Sequence, residues 1–311
     1  MANNGAVIPT PLHRIGVGSC GSVWSDISPR PGGVAMKCGE GGSLKYDSDM
    51  HQRILEAYKS GKARRFAMPI WLGYISADTA KKFADEFPRG WPQGSILLTE
   101  RILPLPKTTS HFLTEKYCPR RLISSIATDS SNHVCLVRPY LGGRRGSYRD
   151  STSHGFSLCD FPLYLDQMEE LGLEIHIYAS RMAKALAFMH WSAQVDANGV
   201  DFVLAPAPKA PLMMRSPVLG KHCLWMLDFD RCRPMTMDDA GLEKATRAFW
   251  ENNRYYPRPV KGVGEDSLLW HHFKHCYLEE SSYIVGLGDV RQHGLPRNFI
   301  AMIEAELPVQ N

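Results

Sequence analysis

Four aspartates in the second half of the chain, Asp196, Asp201, Asp228 and Asp230, lie in two short strings that can do chemistry. Asp196 and Asp201 are five residues apart in MHWSAQVDANGVDFVL (189–204), where Asn198-Gly199 marks a turn and Phe202-Val203-Leu204 an emerging strand. Asp228 and Asp230 close the apolar run LWMLDFD (224–230). Far upstream, Lys37 ends the β-like run VAMK. Glu56 falls on the helical pattern SDMHQRILEAYK (48–59), whose apolar residues are Met50, Ile54, Leu55 and Tyr58. Carboxylates converging on one lysine can grip a cation, orient an amine or accept a proton. Singly, each is more often a cap or turn residue.

Their order along the chain favours a joint role. RIGVGSCGSVW fits GxGxxGxV through Gly16, Gly18, Gly21 and Val23. A dinucleotide fingerprint would open a helix in a βαβ unit, whereas this region is strand-rich. Lys37 follows Val23 by fourteen residues, and Glu56 follows Lys37 by nineteen. A glycine-rich hairpin over phosphates, a strand lysine and a helix glutamate to hold it is the order of a protein-kinase N-terminal lobe. ILLTERILP (96–104), containing Glu100, then reads as a hinge. A kinase catalytic loop places its aspartate five residues before a metal-binding asparagine that leads into a strand. Asp196 and Asp201 keep that spacing, and Asp228 takes the place of the DFG aspartate.

The departures bear on function. His190 stands six residues before Asp196, the asparagine is replaced by Asp201, and DFG becomes Asp228-Phe229-Asp230, without its glycine. No APE-like activation segment follows. Four carboxylates then share one obvious inner cation, Lys37. ATP would need magnesium to be tolerated there, because like charges at close range repel strongly. A guanidinium, always charged and forked to meet carboxylates, suits such a site without metal. No CxxC pair occurs among the eight cysteines. WHHFKHCYL (270–278) offers His271 and His275 at i, i+4, and an aromatic buried helix accounts for it more simply than a metal. No metal ligand is assigned.

These residues must be carried by elements. Runs 34–37 and 95–100 read as strands; Leu173–His190 is the clearest helix, with a wide apolar face. Helical segments follow near Gly241–Asn252 and Asn298–Glu306. The expected fold is α+β and protein-kinase-like with two lobes: a small β-rich N-lobe over 1–103, a basic connecting segment over 104–160, and a helical C-lobe over 161–311 bearing the acidic site.

At 311 residues, 44% hydrophobic and 22% charged, the composition is that of a globular chain, not a disordered one. No run approaches a membrane span, and MANNGAVIPT resembles no secretory signal, so a cytoplasmic protein with reduced thiols is expected. The net charge of +4 is unevenly spread: residues 101–155 hold nine basic residues against three acidic. Arg120 and Arg121 in CPRR, and Arg144, Arg145 and Arg149 in VRPYLGGRRGSYRD, are expected on a mobile basic loop suited to a phosphate backbone.

The strings MHWSAQVDANGVDFVL, LWMLDFDRCRP and AFWENNRYYPRP (248–259) resemble a family of filamentous-fungal proteins, described in places as zinc-finger-like, over roughly Ile15 to the C-terminus. It includes arginine-containing cyclodipeptide synthases, which draw on aminoacyl-tRNAs to make cyclo-arginine-Xaa diketopiperazines. The resemblance implies an aminoacyl-tRNA-dependent peptide-bond former on a kinase-like scaffold. Its partners would be arginyl-tRNA and a second aminoacyl-tRNA, with no cofactor. On that reading Asp196 is the base or positions the amine, Asp201 and Asp228 grip the arginine with Asp230 in support, and Lys37, held by Glu56, neutralises developing negative charge. Gly16, Gly18, Gly21 and Glu100 line the substrate site, and Trp191 stacks on the terminal adenosine or the second side chain. Two competitors share the residues: an ATP- and magnesium-dependent phosphotransferase, and a catalytically inactive kinase-like binding module. Nucleotide dependence separates them.

Overall fold

In a computed structural model of the protein, the structure describes residues 12–18, 21–26, 30–39, 41–60, 65–83, 87–88, 91–129, 132, 134–146, 156–252, 254–286 and 292–306. Two lobes form the α+β, kinase-like plan. The smaller is an antiparallel sheet of β1 (Leu12–Gly18), β2 (Gly21–Asp26), β3 (Val34–Gly39), β4 (Trp71–Ile75) and β5 (Ser95–Glu100), in spatial order β1-β2-β3-β5-β4. Helix α1 (Gly41–Ser60) runs between β3 and β4, and α2 (Ala77–Lys81) follows β4. Strand periodicity does the positioning. On β3, Met36 and Cys38 enter the core with Trp24, Ile96 and Leu98, which turns Lys37 to the opposite face.

The larger lobe contains α3 (Lys107–Tyr117), α4 (Ile123–Thr128), β6 (Val137–Tyr140), β7 (Phe161–Tyr164), α5 (Leu165–Glu170), α6 (Ile175–Ala187), β8 (Asp201–Ala205), β9 (Met214–Ser216), β10 (Gly220–Leu227), α7 (Asp239–Glu251), α8 (Glu265–Val285) and α9 (Leu295–Ala305). Its mixed sheet has the order β7-β6-β8-β10-β9, with β6 parallel to β7. The described residues of the segment 104–160, expected as a basic connection, are therefore built into this lobe. Val137 is fully buried and pairs with Leu204 of β8, so apolar burial outweighs the charge pattern there.

The lobes share a core. Met50, Ile54 and Leu55 on α1 pack in the same cluster as Phe188 and Met189 at the end of α6. Tyr58, Phe66 and Phe188 interlock as three rings with centroids 5.5–6.0 Å apart. Main-chain bonds Ala67 N–H to Leu224 C=O (2.7 Å) and Met226 N–H to Ala67 C=O (2.9 Å) join the segment before β4 to β10. Beyond α6 the helix widens into one π turn, Phe188–Ser192. The seven described cysteines are free thiols, and no described helix is long and apolar enough to cross a membrane.

Candidate functional site

The cleft between the lobes is roofed by the β1–β2 hairpin. Gly18 pairs with Gly21 at its tip and Gly16 with Val23. Gly21 has φ +145°, and a Cβ there would stand 1.9 Å from the carbonyl oxygen of Cys38, so only glycine lets the hairpin lie this close to β3. Ile15, Val23 and Ala35 from the smaller lobe and Leu136 and Leu227 from the larger line the cleft, together with Leu97, Thr99, Glu100 and Ile102. The result is a slot whose lining is apolar at this end. Glu100 lines it and accepts the Ile70 N–H through Oε2 at 3.2 Å. No described residue bonds the N–H or C=O of Ile102, which leaves a peptide edge available at the hinge.

Beyond the slot, Lys37 Nζ donates to Asp47 Oδ2 at 2.7 Å and to Asp228 Oδ1 at 2.8 Å, with Asp230 Oδ2 at 3.8 Å. Burial alone would drive the ammonium toward neutrality. Asp228 and Asp47 outweigh it and hold the pKa of Lys37 well above the ordinary lysine value. Burial raises the pKa of Asp47, and Lys37 offsets this in part. The partner expected for Lys37 was Glu56, and the structure corrects this: Glu56 is exposed on the far side of α1. Nine residues, about two and a half turns, separate it from Asp47 and place it on the opposite face.

A second cationic centre lies on the floor. Arg138 of β6 donates through Nη1 to Asp201 Oδ2 at 2.5 Å and to the Tyr255 hydroxyl at 2.7 Å, and its Nη2 is 3.4 Å from Asp160 Oδ1. Tyr255 in turn donates to Asp201 Oδ1 at 2.9 Å. Both oxygens of Asp201 are thus engaged. Its pKa is raised, by burial first, with Arg138 opposing. Asp228 and Asp160 differ from it: each keeps one oxygen with no described partner, and their side chains are 35% and 37% exposed. Both also adopt left-handed backbone, φ 64° and 55°. Such conformations are unfavourable for aspartate and cluster at functional sites.

Other expected site residues fall elsewhere. Asp196 does not line the cleft. It is buried, and its Oδ1 accepts the N–H of Arg233 at 2.8 Å and of Asn198 at 3.1 Å. Burial raises its pKa, and these two backbone donors oppose the shift. It ties the 196–198 turn to the loop after Asp230. Trp191 is core: it is 7% exposed and donates to Ser281 at 2.8 Å on α8, so it cannot stack on a ligand in the cleft. Arg144 is clamped by Glu169 and Asp266, and Arg145 by Asp166 and Glu170, so neither is on a loop free for phosphates. Arg120 and Arg121 are exposed on the short turn Arg120–Leu122, and Arg149 lies outside the described residues. Asp47, Asp160, Arg138 and Tyr255 are site residues that sequence reasoning missed. A helical pattern starting before residue 48 was the available signal for Asp47.

Residues 224–288 match the model of the DUF3669 family, described as a zinc finger protein. Among the described residues no group of three His, Cys, Asp or Glu side chains converges to hold a metal. No curated protein matches the chain. Among solved structures, the kinase domain of maize sucrose-induced receptor kinase 1 is 12% identical, with 98% of this chain and 83% of that chain covered and a TM-score of 0.29. An aminoglycoside phosphotransferase from Alicyclobacillus acidocaldarius is also 12% identical, covering 94% and 79%, with a TM-score of 0.31.

Proposed function

We propose that the cleft takes the adenosine end of a charged tRNA and that the protein is an aminoacyl-tRNA-dependent cyclodipeptide synthase joining arginine to a second amino acid. One observation carries the reading. The apolar slot, with its free hinge peptide at Ile102, leads directly to two aspartates, Asp228 and Asp160, that each keep a carboxylate oxygen open. An apolar lining beside an unbonded hinge peptide suits a purine, and open carboxylates suit a guanidinium or α-ammonium. The family match over 224–288 spans the string LWMLDFDRCRP and AFWENNRYYPRP, two of the three that carry the resemblance to such synthases.

The chemistry needs no external energy. The α-amine of one aminoacyl group, having lost a proton, attacks the ester carbonyl of the other; the C–O bond breaks and the first tRNA leaves as its hydroxyl. The remaining α-amine then attacks the second ester, closing the ring and releasing the second tRNA. Asp228 is the carboxylate placed to orient or deprotonate an amine, in the role that Asp196 cannot take from its buried turn. Lys37, held charged, is placed to stabilise the tetrahedral oxyanion.

A second reading, an ATP-dependent phosphotransferase, is favoured by the Lys37–Asp47–Asp228 arrangement, which has the layout of a kinase phosphate site. Magnesium would fall to Asp228 and Asp201. The residues fit it poorly, because Arg138 and Tyr255 take both oxygens of Asp201.

The test is calorimetric titration with a stable mimic of the charged end, arginine amide-linked to 3′-amino-3′-deoxyadenosine. Binding to the wild type is expected, weakened at least about tenfold in Asp228→Asn, where a charge-assisted contact is lost, and in Ala35→Phe, which fills the slot. Tight binding of magnesium-ATP with none of the mimic would transfer the proposal to the second reading.

A further inference from the structure

Of the arginines expected to meet RNA, Arg144 and Arg145 are occupied by carboxylates, and a different face carries cations with none. It is built where α6, the segment at Arg65 and the β9–β10 hairpin meet. Arg181 of α6 donates to the Leu212 carbonyl at 2.5 Å, and Tyr178, one turn earlier, is hydrogen-bonded to His222 of β10 at 2.8 Å. The backbone bonds of Ala67 to β10 bring Arg65 alongside. On the hairpin, Arg215 and Lys221 are direct cross-strand partners, and both are exposed, as is Lys209 in the preceding turn.

Like charges directly opposite on a two-stranded ladder oppose pairing. Nothing local relieves them: from Phe202 to Leu227 the sequence contains no aspartate or glutamate. None of Arg65, Arg181, Lys184, Lys209, Arg215 and Lys221 makes an ion pair with a described residue. Arg181 is half-buried, and its pKa is lowered by that burial, with Arg65 adding repulsion. Glu174 at the N-terminal end of α6 is the carboxylate these elements do carry. A fold that places unneutralised cations opposite one another gains from a polyanion laid across them.

We propose that this face, centred on Arg181, Arg215 and Lys221, is where the protein holds the phosphate backbone of tRNA. The inference rests on the synthase reading. β10 joins the face to the cleft: Lys221 and Asp228 are seven residues apart, about 23 Å along a strand. An RNA lying on the face could deliver its end to the slot along that strand.

The test is fluorescence anisotropy of 3′-labelled, uncharged tRNA at several salt concentrations. The exposed triple variant Lys209→Ser, Arg215→Ser, Lys221→Ser should bind at least about tenfold more weakly and lose about two to three units of salt slope, since each lost phosphate contact removes about one. The control Arg120→Ser, Arg121→Ser should change binding less than about twofold. Far-UV circular dichroism and the urea midpoint, expected unchanged because all three sites are exposed, guard against misfolding. Unaltered affinity and slope in the triple variant, or loss confined to the Arg120/Arg121 control, would overturn the assignment while leaving the synthase reading standing. No tRNA binding by the wild type would remove both. Face-dependent binding with no cyclodipeptide formed would remove only the synthase reading.

Discussion

At the scale of residues, the site is a sharing of two cations among five carboxylates. Lys37 serves Asp47, Asp228 and, at longer range, Asp230; Arg138 serves Asp201 and Asp160. The partner of Lys37 is the point on which the reading of spacing and the folded geometry diverge, and it can be tested directly. Asp47→Ala leaves a buried ammonium with one close partner and should cost about 1–3 kcal/mol in urea unfolding, the penalty of an under-satisfied buried charge. Glu56→Ala, on an exposed face, should stay within about 0.5 kcal/mol. Equal costs would restore Glu56 as the anchor. Gly16, Gly18, Gly21, Lys37 and Asp228 were legible because motif spacing fixes them along one hairpin, one strand and one strand end. Asp196 was misleading for a physical reason. Its partner is the backbone of Arg233, thirty-seven residues away, and no local pattern reports such a bond.

At the scale of elements, the strands and long helices were predictable from periodicity, while their boundaries and the 104–160 segment were not. β5 matches its expected span, 95–100, and β8 and the core of α6 lie where the apolar patterns put them. The helix at 48–59 begins instead at Gly41, and that early turn carries Asp47 into the cleft. Arg138 lies in the string VRPYLGGRRGSYRD, whose charge reads as a basic loop. The apolar alternation that makes 137–140 a strand is too short to outweigh the surrounding charge in a sequence reading. Two histidines pin elements together in the neutral form. His51 on α1 is bonded through Nε2 to the Pro69 carbonyl at 2.9 Å, and His190 in the π turn through Nδ1 to the Tyr277 hydroxyl at 2.9 Å on α8. Burial pushes their pKa values down to about 4 and about 3. Both lie below the unfolded value of about 6.5, so acidification protonates the unfolded chain first. Stability should be full above about pH 6.5 and fall between there and about pH 4, by roughly 1.4 kcal/mol per pH unit for each histidine. Urea midpoints from pH 7 to 5 check this. A flat profile, or one unchanged in His51→Gln, would contradict it.

At the scale of the whole molecule, the two lobes share a core through α1 and the Tyr58–Phe66–Phe188 cluster, so the cleft is a preformed feature of one folded body. A kinase-like plan supplies the roof, the hinge and the lysine. On the floor of the cleft, Asp201 is sealed by Arg138 and Tyr255, and Asp196 is turned into a loop junction. What stays open toward the slot is acidic: one carboxylate oxygen each of Asp228 and Asp160. The fold defines the cleft, and these side chains set its charge.

The measurement that tests this most directly is mass spectrometry of purified protein incubated with arginyl-tRNA and a pool of other charged tRNAs, free of nucleoside triphosphates, with and without ribonuclease. The account predicts a ribonuclease-sensitive cyclic arginine dipeptide from the wild type and at least about a hundredfold less from Asp228→Asn, the scale of a lost proton-transfer group. No cyclic product from charged tRNA, together with transfer of the γ-phosphate when magnesium-ATP is added, would contradict it.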